Sequence, residues 1–539
     1  MEAAVRIGRS GVVGILGVGV AAALVACSSG PPASESTTVP GPPSAGAQPP
    51  DAVPGVAIPA GRIDSAVTDV DGLARDLMRT SHIPGMAIAV VHDGKIVYAK
   101  GFGVRSVDTR QPVDADTVFP LASLSKPIAA TVVAARMATG GFTWATPVHT
   151  LMPSFALADP YVTEHVTVGD LFAHRSGLPD HAGDLLEDLG YDRAAVLSRL
   201  RQLPLNPFRD SYAYTNFGLT AAAEAVAEHL GTDWATLARQ AVFGPLGMTS
   251  TSSRYADFTA RPDRTVGHVL VGGVYRVSPQ QRDPDAQSPA GGVSSSATDV
   301  AKWMEMVLAG GSAGGRLLIP PDDLLAATSP QSMSAPPSTA EARGGFYGFG
   351  FNVTSSAAGR VVLSHSGAFS LGAATAFTLI PSADVGIVTL TNAAPIGVPE
   401  TLDAEFADLV QFGAVQQDWK MLYRNVFAKM DQPSGMLVGV TAPAHPAPAG
   451  PLSTYTGRYD NAYYGPATVT ASGDSLTLRL GPKNMAFPLR HWDGDTFVFT
   501  PPGENAEAGT ISKATFDGDR LVLEYYDGDH LGTFTRPAG

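Results

Sequence analysis

Apolar positions set out the architecture before any residue suggests chemistry. Between Ala66 and Thr80, Val67, Val70, Leu73, Leu77 and Met78 recur at helical spacing on one side, predicting an amphipathic helix. The run Gly85–His92 is apolar nearly throughout and predicts a strand. Asp93-Gly94 supplies a hairpin turn, and Lys95–Gly103 returns as a second strand. A strand end is predicted at Thr117–Leu121, then a helix through the apolar run Ile128–Met137. Further helices are predicted at Thr167–Phe172, at the alanine-rich Phe217–Leu230, and at Ala297–Leu308 with Ser296 or Thr298 near its cap. The amphipathic stretch Asp184–Leu203 reads as one helical segment and a candidate lid. Arg360–Ser364, Ala373–Ile380 and Val385–Thr391 predict three more strands, and Leu402–Phe412 a closing helix. This is an α+β body. After it the period changes to short alternating strands between Ala467 and Arg536, separated by Gly-Asp and Asp-Gly turns, which predicts a small antiparallel barrel or sandwich.

Composition divides the chain. Residues 1–26 read as a signal peptide: Arg6 and Arg9 precede a short apolar run, Gly11–Ala26, that is too short for an ordinary membrane span. The run ends Leu24-Val25-Ala26-Cys27, which resembles the bacterial lipobox. Cys27 is the chain's one cysteine. That resemblance implies lipid attachment at Cys27 and a place in the cell envelope, anchored on the outer face of the bacterial cytoplasmic membrane. Residues 27–60, rich in Pro, Ser and Gly, read as a disordered tether. The body is expected over 61–430, a second Pro- and Ala-rich linker over 431–450, and the β-domain over 451–539. A single cysteine excludes an intrachain disulfide framework and a zinc finger or ribbon. The net charge of −14 argues against nucleic acid as a partner. The Asp-Gly-Asp triplets of the β-domain lack the full calcium-loop pattern and read as turns.

Candidate chemistry begins at Phe119-Pro-Leu-Ala-Ser-Leu-Ser-Lys-Pro127. Ser123 and Lys126 stand three apart at a helix start, so the amine lies one turn in, on the face that carries the hydroxyl. A serine hydroxyl needs a base to become a nucleophile, and a buried lysine that has lost its proton is one. Tyr214-Thr215-Asn216 supplies a Y-x-N, and His365-Ser366-Gly367-Ala368 an H-x-G with its following residue. Gly310-Gly-Ser312-Ala-Gly314 matches G-x-S-x-G, but a helix is predicted before it and no helix after it, so Ser312 is not expected to be a nucleophile.

The order and spacing of S-x-x-K, Y-x-N and H-x-G, together with His174–Pro179 and Pro289–Val293, resemble the serine β-lactamase-related hydrolases. These include class C β-lactamases, family VIII esterases, D-aminopeptidases and low-molecular-weight penicillin-binding proteins. The resemblance covers about residues 65–415. It implies an antiparallel sheet flanked by helices plus a helical lobe, and no cofactor or metal. By it, Ser123 is the acylated nucleophile, and Lys126 and Tyr214 are general bases, Tyr214 only if nearby cations lower its pKa. Asn216 would hold the substrate carbonyl or the lysine. The N–H groups of Ser123 and Ala368 would form the oxyanion hole, on a substrate-binding strand with His365, Ser366 and Gly367. Penicillin-recognising members carry K-T-G where this chain has His365-Ser366-Gly367; the lysine's permanent charge holds a substrate carboxylate, and histidine is mostly neutral at pH 7. The leading expectation is therefore a serine hydrolase of esters or amides. A β-lactamase or a D,D-carboxypeptidase or D-aminopeptidase acting on D-Ala-type peptides comes second, and a non-catalytic envelope binding protein third.

Overall fold

The computed structural model describes residues 55–501 and 503–537; the leader, most of the tether and Cys27 lie outside them. Among the described residues no helix is long and apolar enough to cross a membrane.

The body is built on one antiparallel sheet. Its strands are β1 (Gly85–His92), β2 (Lys95–Gly103), β3 (Ser332–Ala335), β4 (Gly345–Tyr347), β5 (Asn352–Ser355), β6 (Val361–Phe369), β7 (Ala373–Ile380) and β8 (Val385–Thr391). They are ordered β2-β1-β8-β7-β6-β5-β4-β3. The Asp93-Gly94 turn has positive φ at both residues, as a two-residue hairpin of native twist requires. β1 is apolar at successive positions because both faces of the sheet are covered. Met86, Ile88 and Val90 pack with Val70, Leu77, Leu402 and Phe406, from helices α1 (Arg62–Ser81) and α5 (Val398–Phe412). Ala87, Ala89 and Val91 face the larger core, which includes α2 (Ser125–Gly140), α3 (Asn216–His229) and α4 (Ala297–Leu308).

Three differences from the predicted elements have physical causes. Strands β3 to β5 are short and partly polar, so they carry little alternation. β6 runs on to Phe369, which places His365-Ser366-Gly367-Ala368 inside the strand. The stretch 184–203 is no single helix and no lid: it breaks into Asp184–Asp188, Arg193–Arg199 and a 3-10 turn, Leu200–Gln202. Gly190 in the left-handed region ends the first piece, and Asp192 caps the second through Ala195 N–H. Leu186, Leu189, Val196 and Leu200 are buried, so the segment is part of the core.

The C-terminal domain is an eight-stranded antiparallel meander, from Gly457–Tyr459 to Thr533–Thr535. Asp460 and Thr535 exchange backbone hydrogen bonds at 2.7 and 3.0 Å, so the first and last strands meet and the sheet nearly closes on itself. Closure removes the free edges that a small β-domain would otherwise expose.

Candidate active site

The turn that carries Ser123 is held from three sides. Ser123 sits in a 3-10 turn, Ala122–Leu124, that leads directly into α2. Ala122 is in the left-handed region at φ 48°, a conformation that costs a residue with a Cβ. Its buried methyl packs with Phe369 and Ala373. Ser125 Oγ donates to Ala122 O at 2.7 Å and accepts from Val293 N–H at 2.9 Å, so this second serine is a clamp. Gly367 must be glycine, because a Cβ there would stand 2.3 Å from Leu121 O and 3.0 Å from Ser123 N. The absence of that carbon lets β6 lie against the turn.

Lys126 is fully buried, and its Nζ has three oxygen neighbours: Ser123 Oγ at 3.1 Å, Asn216 Oδ1 at 2.7 Å and Ala290 O at 3.1 Å. Asn216 Nδ2 donates to Asp184 Oδ2 at 2.9 Å, which fixes the amide with its oxygen toward the lysine. Asn216 Oδ1 and Ala290 O can only accept. A neutral amine has two N–H groups and one lone pair, so the two acceptors take the N–H groups and the lone pair faces Ser123 O–H. Burial pushes Lys126 down to about 7, against a smaller upward pull from Asp184. The arrangement therefore favours the amine that can take a proton.

Tyr214 donates its O–H to Ser123 Oγ at 2.9 Å. Its ring lies 4.4 Å below Lys126 Nζ and 4.6 Å from the His174 ring. A lowered phenol pKa is not what this environment produces. Burial pushes Tyr214 upward, the hydrogen bond with Ser123 pulls it back only in part, Asp184 and Asp180 add to the rise, and the lysine that could oppose it is itself driven toward neutrality. At rest the phenol is a donor.

His365 is buried and tied at both nitrogens. Nδ1 donates to Ser366 O at 2.6 Å, and Nε2 accepts from Tyr347 O–H at 2.8 Å. Burial and the nearby Lys126 hold it down to about 3, so it is a neutral imidazole. Ser366 alternates to the opposite face, toward Glu400 on α5, and the Ala368 methyl is exposed. Ser312 lies in a two-residue strand paired with Arg316–Leu317, away from any strand-to-helix elbow. Arg175, in the His174–Pro179 segment, is a structural cation: Nε donates to the buried Asp170 at 2.8 Å.

The site thus brings Ser123, Lys126, Tyr214 and Asn216 into one hydrogen-bonded cluster beside β6. Sequence reasoning missed Asp184, the Ala290 carbonyl, His181 and Tyr347. Ala290 lay within a segment already singled out by its glycines. Asp184, His181 and Tyr347 had no signal, because their partners are distant in the chain.

A family model described as Beta-lactamase matches residues 70–412, and one described as a domain of unknown function, DUF3471, matches residues 441–521. The chain is 27% identical over 461 residues to the unguisins hydrolase ungD of Aspergillus violaceofuscus, covering 78% of this chain and 80% of that one. It is 27% identical over 281 residues to Esterase EstB of Burkholderia gladioli, covering 46% of this chain and 71% of that one. Among solved structures, the octameric penicillin-binding protein homologue from Pyrococcus abyssi shares the fold, with a TM-score of 0.56 at 19% identity over 87% of this chain and all of that one. A class C β-lactamase from Rhodobacter sphaeroides does so at 0.51 and 20% identity, covering 65% of this chain and 99% of that one. With a match spanning the sheet, the helices and the Ser123–Lys126 turn, the chain belongs to the Beta-lactamase family.

Proposed function

We propose that this protein is a serine hydrolase that cleaves neutral esters or amides through an acyl-enzyme on Ser123. The observation that carries this reading is the three-oxygen environment of Lys126, which leaves its lone pair facing Ser123. Lys126 takes the hydroxyl proton as Oγ forms its bond to the substrate carbonyl carbon. The N–H groups of Ser123 and Ala368 receive the developing oxyanion. As the carbon–oxygen or carbon–nitrogen bond to the leaving group breaks, Tyr214 gives that group a proton and regains one from the Lys126 ammonium. Water then attacks the acyl carbon, losing its proton to the same amine, and Ser123 leaves with a proton restored. The balance is one water consumed, one acid and one alcohol or amine released.

The neutral, doubly tied His365 supports esters over substrates that present a carboxylate, since it offers no permanent charge. The name of one relative, Esterase EstB, supports the same reading. Ser123→Ala is expected to abolish p-nitrophenyl acetate hydrolysis and labelling by a fluorophosphonate, with the thermal unfolding curve retained. Retained turnover would sink the assignment. Nitrocefin turned over faster than short neutral esters by the wild-type enzyme would move it to the β-lactam class. The resemblance of Leu24–Cys27 to a lipobox supports lipid anchoring at the outer face of the cytoplasmic membrane, and by this reading Cys27→Ser is expected to release the protein to the soluble fraction.

A further inference from the structure

The segment that begins at Asp184 is gripped on both sides. On one side Asp184 Oδ2 accepts from Asn216 Nδ2 at 2.9 Å and from His181 Nδ1–H at 2.7 Å, and the residue is buried. On the other side the C-terminal barrel reaches in with Glu504-Asn505. Asp188 Oδ1 accepts from Glu504 N–H at 3.1 Å, and Asp188 Oδ2 accepts from Asn505 N–H at 3.1 Å and Asn505 Nδ2 at 2.8 Å. The Glu504 carboxylate in turn accepts from Ser370 N–H and Leu371 N–H, immediately after β6. One loop of the barrel therefore staples together the two walls that carry Asn216's partner and the oxyanion strand.

An asparagine amide beside a lysine has two orientations, and only one leaves the lone pair of a neutral amine for serine. Turned over, Asn216 would present Nδ2 to Lys126 Nζ. The amine would then accept from that donor, and its lone pair would be lost to Ser123. Asp184 forbids this, since a carboxylate accepts and cannot donate. We propose that Asp184 is a positioning residue which fixes the Asn216 amide so that Lys126 serves Ser123 as base, and that the Glu504-Asn505 loop of the barrel holds Asp184 in place. This rests on the reading of Ser123 and Lys126 given above.

The sign of the pH effect follows from the groups around the lysine. Facing Lys126 are Tyr214, His174 and His365; burial holds His174 and His365 low, and both are neutral. Asp184 is the anion that acts on Lys126, and it pulls the lysine upward. Around Asp184 stand His181, Asp180, Glu187 and Tyr463. His181 donates to Asp184 at 2.7 Å and, against burial, its pKa is raised by that carboxylate, so removing Asp184 also discharges His181 and offsets part of the effect on Lys126. Loss of the carboxylate and a turned amide both disfavour the ammonium, and both move Lys126 down.

The experiment uses the full-length protein and measures kcat and KM for p-nitrophenyl acetate from pH 5 to 9. Asp184→Asn is expected to lower kcat/KM roughly 10- to 100-fold, mostly in kcat, and to move the acid limb downward by about half a unit to one unit. Asp184→Glu should restore the limb in part. Asn505→Ala leaves the charge but loosens its holder, and is expected to shift the limb in the same direction with a loss of about 3- to 10-fold. Should Asp184→Asn fail to fold, Asn505→Ala decides alone. A folded variant whose acid limb coincides with wild type overturns the proposal, because a merely structural role lowers the plateau without moving the limb. If Ser123→Ala itself remains active, the reading of the nucleophile has failed; if Ser123→Ala is dead and the limb unmoved, only the role of Asp184 has.

Discussion

Two basic side chains held out of water, Lys126 and Arg282, are used in opposite ways. Lys126 has three neutral oxygens around it and its nearest carboxylate, Asp184, lies beyond the Asn216 amide. Arg282 sits where the body meets the barrel. It donates to Glu187 at 2.6 Å, lies 3.9 Å from Asp188, and packs over the Phe369 ring with Glu504 nearby. Burial opposes the charge in both places. At Arg282 the surrounding carboxylates overcome it and the guanidinium stays charged; at Lys126 nothing touches the amine that could. Burial makes a base only where the counter-anion is held one residue away.

Converting the base into a permanent cation should have the largest effect on this contrast. Lys126→Arg keeps the positive charge, but a guanidinium does not release its proton in proteins. Ester turnover is expected to fall by roughly 10²- to 10⁴-fold, read as kcat/KM at pH 8 on a variant shown to be folded.

The mirror experiment removes the other cation. Arg282→Met leaves Glu187, Asp188 and Glu504 without their buried counter-charge, and is expected to cost about 3–5 kcal/mol of stability in urea unfolding at pH 8. Burial pushes Glu504 up to about 8 and raises Asp188 as well. An acid whose folded pKa is raised destabilises the fold when ionised, and that cost fades as pH falls from the folded pKa toward the lower unfolded one. The deficit of Arg282→Met should therefore shrink between pH 8 and pH 5.

A smaller effect sharpens the lysine side of the comparison. In the wild-type enzyme kcat/KM should rise about tenfold per pH unit below 7 and level off above, as Lys126, held at about 7, loses its proton. A profile that is flat from pH 5 to 7 would show the acting base to be some other group.

The smallest change concerns the histidine of β6. Tyr347→Phe removes the donor to His365 Nε2. Burial and the nearby Lys126 still keep the imidazole neutral, and its Nδ1–H bond to Ser366 O still fixes its tautomer, so the expected loss is about 0.5–1.5 kcal/mol in thermal unfolding, with ester turnover down by less than roughly tenfold.

Much of this was legible in the chain itself, for reasons that differ by region. β1, α1 and the nucleophile helix could be read because their apolar positions follow one period over many residues. Ser123, Lys126, Tyr214 and Asn216 could be read because their local spacings are short and ordered. The helical reading of 184–203 failed where tertiary packing outweighed amphipathic periodicity: Gly190 and Asp192 broke the run, and both its faces found neighbours. β3 to β5 escaped notice because the sheet, not their composition, extends them. Asp184 was invisible for another reason, since its role exists only once Asn216, 32 residues later, and the barrel loop close on it.

Ala122 carries a different kind of consequence. An alanine held at φ 48° beside the nucleophile carries a strain of about 1–2 kcal/mol that glycine would not. Glycine would also delete the methyl that keys the turn onto Phe369 and Ala373. Strain relief is therefore offset by the lost methyl and by glycine's freedom in the unfolded chain, so Ala122→Gly is expected to leave the thermal unfolding midpoint near wild type while loosening the turn, read as a fall in ester turnover.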